Sequence, residues 1–114
     1  MKKLPTFHQT FELLFQSEEE EVVYCYECQL FHVHYGTVSL DLSESDLKIM
    51  IQKLRYYLSM YQGIVAPHQR CIEVDTPYMG IRLLLSPFDL ATFSSILETA
   101  KASHETLKRQ RKLN

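Results

Sequence analysis

Cys25-Tyr26-Glu27-Cys28 sets two thiols at the spacing with which a pair of thiolates can grip one tetrahedral metal ion. His68-Gln69-Arg70-Cys71 repeats the spacing with an imidazole in place of the first thiol. Taken together, Cys25, Cys28, His68 and Cys71 form a Cys3His set of the kind that holds zinc, each half of the chain giving two ligands. The demand on the backbone is specific. Residues three apart on a continuous strand point to opposite faces, so each pair needs a local turn, and neither contains the glycine that eases one. His32 and His34 fall on one strand face and could replace a ligand; otherwise they form a polar, solvent-facing row. Without metal, the cysteines are reduced thiols that pack as small apolar residues or lie partly exposed. A thioredoxin-like redox role wants its first thiol at a helix N-terminus, whereas a β-rich run follows this pair. Zinc is thus the one cofactor the sequence raises, and a cofactor-free protein is the alternative.

Other chemistries find little material. There is no nucleophile elbow, phosphate-cradling glycine loop, HExxH helix or paired carboxylate set, and three glycines leave few positions for a phosphate loop. Asp41, Asp46, Asp75 and Asp89 read as turn and helix-start residues. No catalytic residue is assigned, and a non-enzymatic binding or interaction module is the first expectation; a zinc- or thiol-dependent protein using Cys25 and Cys28 is its rival. A formal charge of -2 and a pI near 6.2 provide no global basic field for nucleic acid. Lys101, Lys108, Arg109, Arg111 and Lys112 make the C-terminal end locally basic. That end reads as a fraying, solvated tail whose cations complement the helix dipole, or as a patch for phosphate or an acidic partner. The expected partner is a protein, further copies of this chain included, with nucleic acid reachable only through that basic tail.

No stretch nears the roughly 18 apolar residues of a membrane span. After Met1 to Pro5 come His8, Gln9 and Thr10, not a signal core, and the cysteines number three, an odd count that suits reduced thiols. A cytoplasmic protein without membrane contact is expected.

The elements that must position the thiols follow from periodicity. With 46% hydrophobic and 23% charged residues, the chain can pack one core at its length of 114 residues. Phe11, Leu13 and Phe15 alternate with polar neighbours, and Val22 to Tyr26 follows the acidic segment Ser17 to Glu21, which predicts a hairpin with a hydrated acidic turn. Gln29 to Tyr35 alternates again, with Phe31, Val33 and Tyr35 opposite Leu30, His32 and His34. Gly36-Thr37 breaks that run, and Val38, Leu40 and Leu42 face inward on the next. Ser43 with Asp46 starts a helix ending near Gly63, whose buried stripe is Leu47, Met50, Ile51, Leu54, Tyr57, Leu58 and Tyr61. A second hairpin, Arg70 to Asp75 and Met79 to Leu85, turns at Thr76-Pro77-Tyr78. Ser86-Pro87-Phe88-Asp89 opens the last helix, carried inward by Leu90, Phe93, Ile96, Leu97 and Ala100.

One constant offset brings Val38 onto Ile81, Leu40 onto Leu83, Leu42 onto Leu85, Ser43 onto Ser86, Asp46 onto Asp89, and Cys28 onto Cys71. Either the strand-strand-helix unit is duplicated, or strands leading into capped helices share one local grammar. Both readings predict an α+β fold: an antiparallel sheet of about six strands with two helices on one face. A single domain over 1–114 is expected, with hairpins and first helix in 9–63, hairpin and second helix in 64–110, and a tail at 111–114.

The run Tyr24-Cys25-Tyr26-Glu27-Cys28-Gln29-Leu30-Phe31-His32-Val33-His34-Tyr35-Gly36-Thr37, continued by Val38 to Leu42, resembles a family of short bacterial proteins known as a domain of unknown function. The shared pattern is Cys-x-x-Cys-Gln, an alternating strand holding His32, an aromatic-Gly-Thr turn and a Leu-Ser-x-x-Asp-Leu helix start, over about two thirds of the chain. The resemblance implies a stand-alone small bacterial protein and supplies no activity. It singles out Cys25 and Cys28, whereas His68 and Cys71 are outside its pattern.

Overall fold

The structure, a computed structural model, describes residues 11–113. The reading of Met1 to Thr10 lies outside them. The chain runs β1 (Phe11–Gln16), β2 (Glu20–Cys25), β3 (Leu30–Tyr35), β4 (Val38–Leu42), α1 (Glu44–Tyr61), β5 (Ile72–Asp75), β6 (Arg82–Leu85) and α2 (Pro87–Leu113). The α+β class and, among the described residues, the six strands are as expected. The single sheet is not: β1-β2-β3-β4 form one antiparallel sheet and β5-β6 a separate pair. Alternation specifies which face of a strand is buried, not which edge it pairs with, so two sheets and one share the same pattern. The helices bridge the two, since α1 packs on β3, β4 and β5, and α2 packs on β1, β2 and β6.

Gly36 sits at φ +59° as the first central residue of a two-residue hairpin turn, a position that wants positive φ. Pairing outward from that turn sets Val33 against Leu40 and Phe31 against Leu42. β2 adds Val22 opposite Val33 and Tyr24 opposite Phe31, so one face of the sheet is apolar and meets the helices. Strand β1 departs from simple alternation. A bulge between Leu13 and Phe15 buries Leu14 and leaves Leu13 half exposed on the outer face, so Phe11, Leu13 and Phe15 do not share one face.

Helix α1 is capped as its sequence predicts, the Asp46 amide donating to Ser43 Oγ at 3.1 Å. It buries Leu47, Met50, Ile51 and Leu54, each worth about 1.5–3 kcal/mol of transfer free energy. Helix α2 begins with a reciprocal box. The Asp89 amide donates to Ser86 Oγ at 3.0 Å, and the Ser86 amide donates to Asp89 Oδ2 at 3.0 Å. Leu90, Phe93, Ile96, Leu97 and Ala100 then enter the core.

Past Ala100 the structure departs from the expected fraying tail. α2 continues to Leu113, buries His104 to 3% exposure, packs Leu107 on the core, and lays the Arg111 guanidinium 4.1 Å over the Tyr26 ring. His104 sits 4.2 Å from the Tyr24 ring and 5.0 Å from Phe31, ring centroid to centroid. An imidazole flanked by aromatics supplies the packing that the polar sequence of this stretch conceals.

The two strand-strand-helix halves differ in register. Phe31 faces Leu42 in the first hairpin, whereas Ile72, not Val74, faces Leu85 in the second. A longer connection between β5 and β6 slides the pairing by two residues, so the offset that matches Cys28 with Cys71 in sequence does not match them in the ladder.

Candidate metal centre

Cys25 ends β2 on the face turned away from the helices. Its neighbours in the alternation, Tyr24 and Val22, point into the core. It is 5% exposed, paired across the sheet with Phe11 on one side and Leu30 on the other. Between Cys25 and Leu30 the chain makes a tight turn through Tyr26, Glu27, Cys28 and Gln29. Gln29 adopts φ +57°, the left-handed conformation for which a glycine was expected. That one residue solves the problem posed by the Cys-x-x-Cys spacing: the turn folds Cys28 back over Cys25, and the Cys28 amide donates to Cys25 Sγ at 3.3 Å.

His32 comes from the adjacent strand, one residue past Phe31, so it points to the outer face with Cys25. Its Nε2 lies 3.7 Å from Cys28 Sγ and its Nδ1 lies 2.6 Å from Asp41 Oδ1. Asp41 is directly opposite His32 in the β3-β4 ladder, and its own backbone carbonyl accepts the hydroxyl of Tyr78 from the β5-β6 connection. The Asp41 carboxylate can only accept from Nδ1–H, so Nε2 is the ring nitrogen that faces the thiols and is left for a metal ion. A carboxylate behind an imidazole is the usual outer support of a metal-bound histidine.

The ligand atoms of Cys25, Cys28 and His32 all lie within 4.8 Å of one another. In a tetrahedral zinc site, bonds of about 2.3 Å to sulfur and 2.0–2.1 Å to nitrogen place sulfur and nitrogen roughly 3.6 Å apart, and two sulfurs roughly 3.8 Å apart. The Cys28–His32 separation is already at that edge length. Cys25 is within one side-chain adjustment of completing the face.

The thiols are also distinct electrically. Burial pushes the Cys25 thiol up, but the Cys28 thiol, the Cys28 amide and His32 together outweigh it, and Cys25 is held below the usual thiol range. Cys28 moves the other way, because its thiol hydrogen-bonds to Cys25, loses some solvation and faces the Cys25 charge. The two thiols are therefore unequal and electrically linked, Cys25 moved down and Cys28 up by their mutual hydrogen bond and charge.

The remaining two members of the sequence-derived set are placed elsewhere. His68 packs at a tilt against the Phe88 ring, 4.9 Å between centroids, and lines a concavity of about 360 Å³ with Tyr35, Arg70 and Asp89. Cys71 is exposed just before β5. Among the described residues the metal-capable cluster is Cys25, Cys28 and His32, and neither His68 nor Cys71 joins it. His34 points outward beside the acidic segment Glu18 to Glu21. Asp41, read from sequence as a turn residue, is the member that sequence reasoning missed. Counting outward from Gly36-Thr37 pairs Tyr35 with Val38 and therefore His32 with Asp41, so the signal was present in the turn length. Asp89 has a second role as well as its cap: burial raises its carboxyl, but Arg70 at 2.9 Å, the Ser86 amide and the Tyr35 hydroxyl bring it down to about 2.

Among the described residues no helix is long and apolar enough to cross a membrane. No family model matches the chain, and no curated protein or solved structure is significantly similar to it.

Proposed function

We propose that this chain is a small, non-enzymatic binding module whose ligand is a transition-metal ion, zinc first, held by Cys25, Cys28 and His32. The single observation that carries the reading is the convergence of two thiols and one imidazole within 4.8 Å on one hairpin end, with Asp41 orienting the imidazole. Two sulfurs and one nitrogen suit zinc and other ions that accept soft ligands, and they disfavour magnesium and calcium, which take oxygen. Three protein ligands leave the fourth tetrahedral position to water or to a group from another molecule. The Cys28 thiol at the surface makes that position reachable from solvent. A thiolate site needs reduced cysteines, which fits a reducing compartment such as the cytoplasm. The resemblance to the short bacterial family points to the same cysteine pair.

The test uses the full chain purified without an affinity tag. Elemental analysis and titration with Co2+ should give one metal per chain and a thiolate-to-cobalt charge-transfer band. Cys25→Ser, Cys28→Ser and His32→Ala should each remove the band, while Cys71→Ser and His68→Ala leave it intact. A folded protein that takes up neither zinc nor cobalt would refute the proposal. Loss of the band in Cys71→Ser and His68→Ala would instead support the four-ligand set that the sequence alone suggested.

A further inference from the structure

The two thiols differ in access but not in reach. Cys28 is exposed on the turn, Cys25 is covered at the strand end, and their sulfurs lie within 4.8 Å. A disulfide requires the sulfurs to close to about 2.05 Å. Cys28 can make that approach, because residues 26–29 carry no ladder hydrogen bond and β2 and β3 are paired from Cys25 and Leu30 inward. Cross-linking Cys25 to Cys28 therefore leaves the sheet intact. It removes two of the three ligand atoms at once, and His32 alone does not retain zinc.

We propose that the centre is redox-gated: a two-electron oxidant of the peroxide class converts Cys25 and Cys28 into an intramolecular disulfide and expels the metal ion. The inference rests on the metal-binding reading above and adds its regulation. Metal binding leaves both sulfurs deprotonated, so access selects the attacking one: the exposed Cys28 sulfur attacks the peroxide, and an S–O bond forms as the O–O bond breaks, giving a sulfenic acid and, after protonation, one water. Cys25 sulfur then attacks Cys28 sulfur, and the S–S bond forms as the S–O bond breaks, releasing the second water. Two thiols and one peroxide thus yield one disulfide and two waters. A dithiol reductant reverses the change and restores the site. The resolving sulfur beside Cys28 is what separates it from Cys71, which is exposed but lies outside the cluster.

The experiment treats zinc-loaded and metal-free full-length protein with one equivalent of hydrogen peroxide. Thiols are counted colorimetrically, released zinc is read with a chromophoric indicator, and the cross-link is mapped by peptide mass. The expected result is a fall from three titratable thiols to one, a Cys25–Cys28 peptide cross-link, stoichiometric zinc release, and recovery of both signals with a dithiol. Cys71→Ser should retain the cross-link and the release, and Cys28→Ser, which has lost a ligand, should form no cross-link within the chain. Oxidation that stops at sulfinic acid, disulfide-linked dimers, or zinc retained after the cross-link forms would each overturn the proposal. The initial zinc titration separates the two readings. If zinc does not bind before peroxide is added, metal binding has failed and gating falls with it; if zinc binds and the thiols do not cross-link, gating alone has failed.

Discussion

Replacing Asp41 tests the most specific element of the centre, because this residue touches no metal and acts only by holding His32. Its Oδ1 is 2.6 Å from Nδ1, and the pairing of β3 with β4 keeps the two residues directly opposite. Loss of such an outer partner lowers metal affinity by about 10- to 100-fold, or about 1.4–2.7 kcal/mol. The Asp41 side chain is 51% exposed and that of His32 28%, so water competes with the contact and the expected loss lies toward the lower end. Asp41→Asn keeps an acceptor for Nδ1–H but removes the charge that makes Nε2 a better donor; about tenfold is expected. Asp41→Ala removes both and should cost more, because the ring is then free to rotate its nitrogen away from the thiols. Affinity is read by competition with a chromophoric zinc chelator at mildly alkaline pH. A urea titration of the metal-free protein serves as the control, and its midpoint should hardly move, since the carboxylate lies outside the core. Zinc affinity unchanged in Asp41→Ala would refute the argument that the β3-β4 register prepares the imidazole for metal.

Leu54→Ala and Leu97→Ala should each cost about 2–5 kcal/mol in urea unfolding, because both side chains are fully buried in the shared core; a loss near zero at either would mean that its helix face is misread. Deleting the residues after Lys108 removes the Arg111–Tyr26 contact, worth about 0.5–1 kcal/mol at an exposed site, and should lower the melting temperature by only a few degrees; a large drop would show that the end of α2 is integral to the core. Asp89 is held at about 2 against an ordinary 3.8, so it contributes about 2 kcal/mol above its unfolded-state value. That contribution is lost as pH falls from about 3.8 toward 2, and the stability gap between wild type and Asp89→Asn should close over the same window. Burial, with Lys108 adding to it, pushes His104 below its ordinary 6.5 despite opposing Glu44, Glu12 and Glu105. The unfolded chain therefore binds the proton first, and stability is complete above 6.5 and falls as acid is added. His104→Phe should flatten that slope below 6.5; an identical slope in both proteins would exclude His104 as its source.

How much of this was legible in the sequence depends on which interactions are local. Helix starts at Ser43 and Ser86, the Gly36-Thr37 turn and the inward faces of β3 and β4 are decided by neighbouring residues, and each is where the sequence puts it. The division into two sheets is decided by strand edges far apart in the chain, and alternation carries no record of it. The end of α2 misled for another reason. Lys, Arg, Glu and His after Ala100 look solvated, but a helix face needs only one residue per turn to reach the core, and His104 and Leu107 are those residues.

The centre follows the same division. The Cys25–Cys28 spacing is local and was readable, but the rest of the ligand set depends on which strands become neighbours. Sequence offset favours His68 and Cys71, since the shift that aligns the helix caps also aligns Cys28 with Cys71. Caps are chosen from a short menu and align any two strand-to-helix junctions, whereas ladders are set by turn length, and the two hairpins differ there. In the first hairpin a two-residue turn puts His32 opposite Asp41 and on the face of Cys25. In the second, the longer connection shifts β5 against β6. Ligands are therefore better sought by counting from the nearest tight turn than by superposing the halves, and the turn at Gly36 leads to His32 and Asp41 where the offset leads to Cys71.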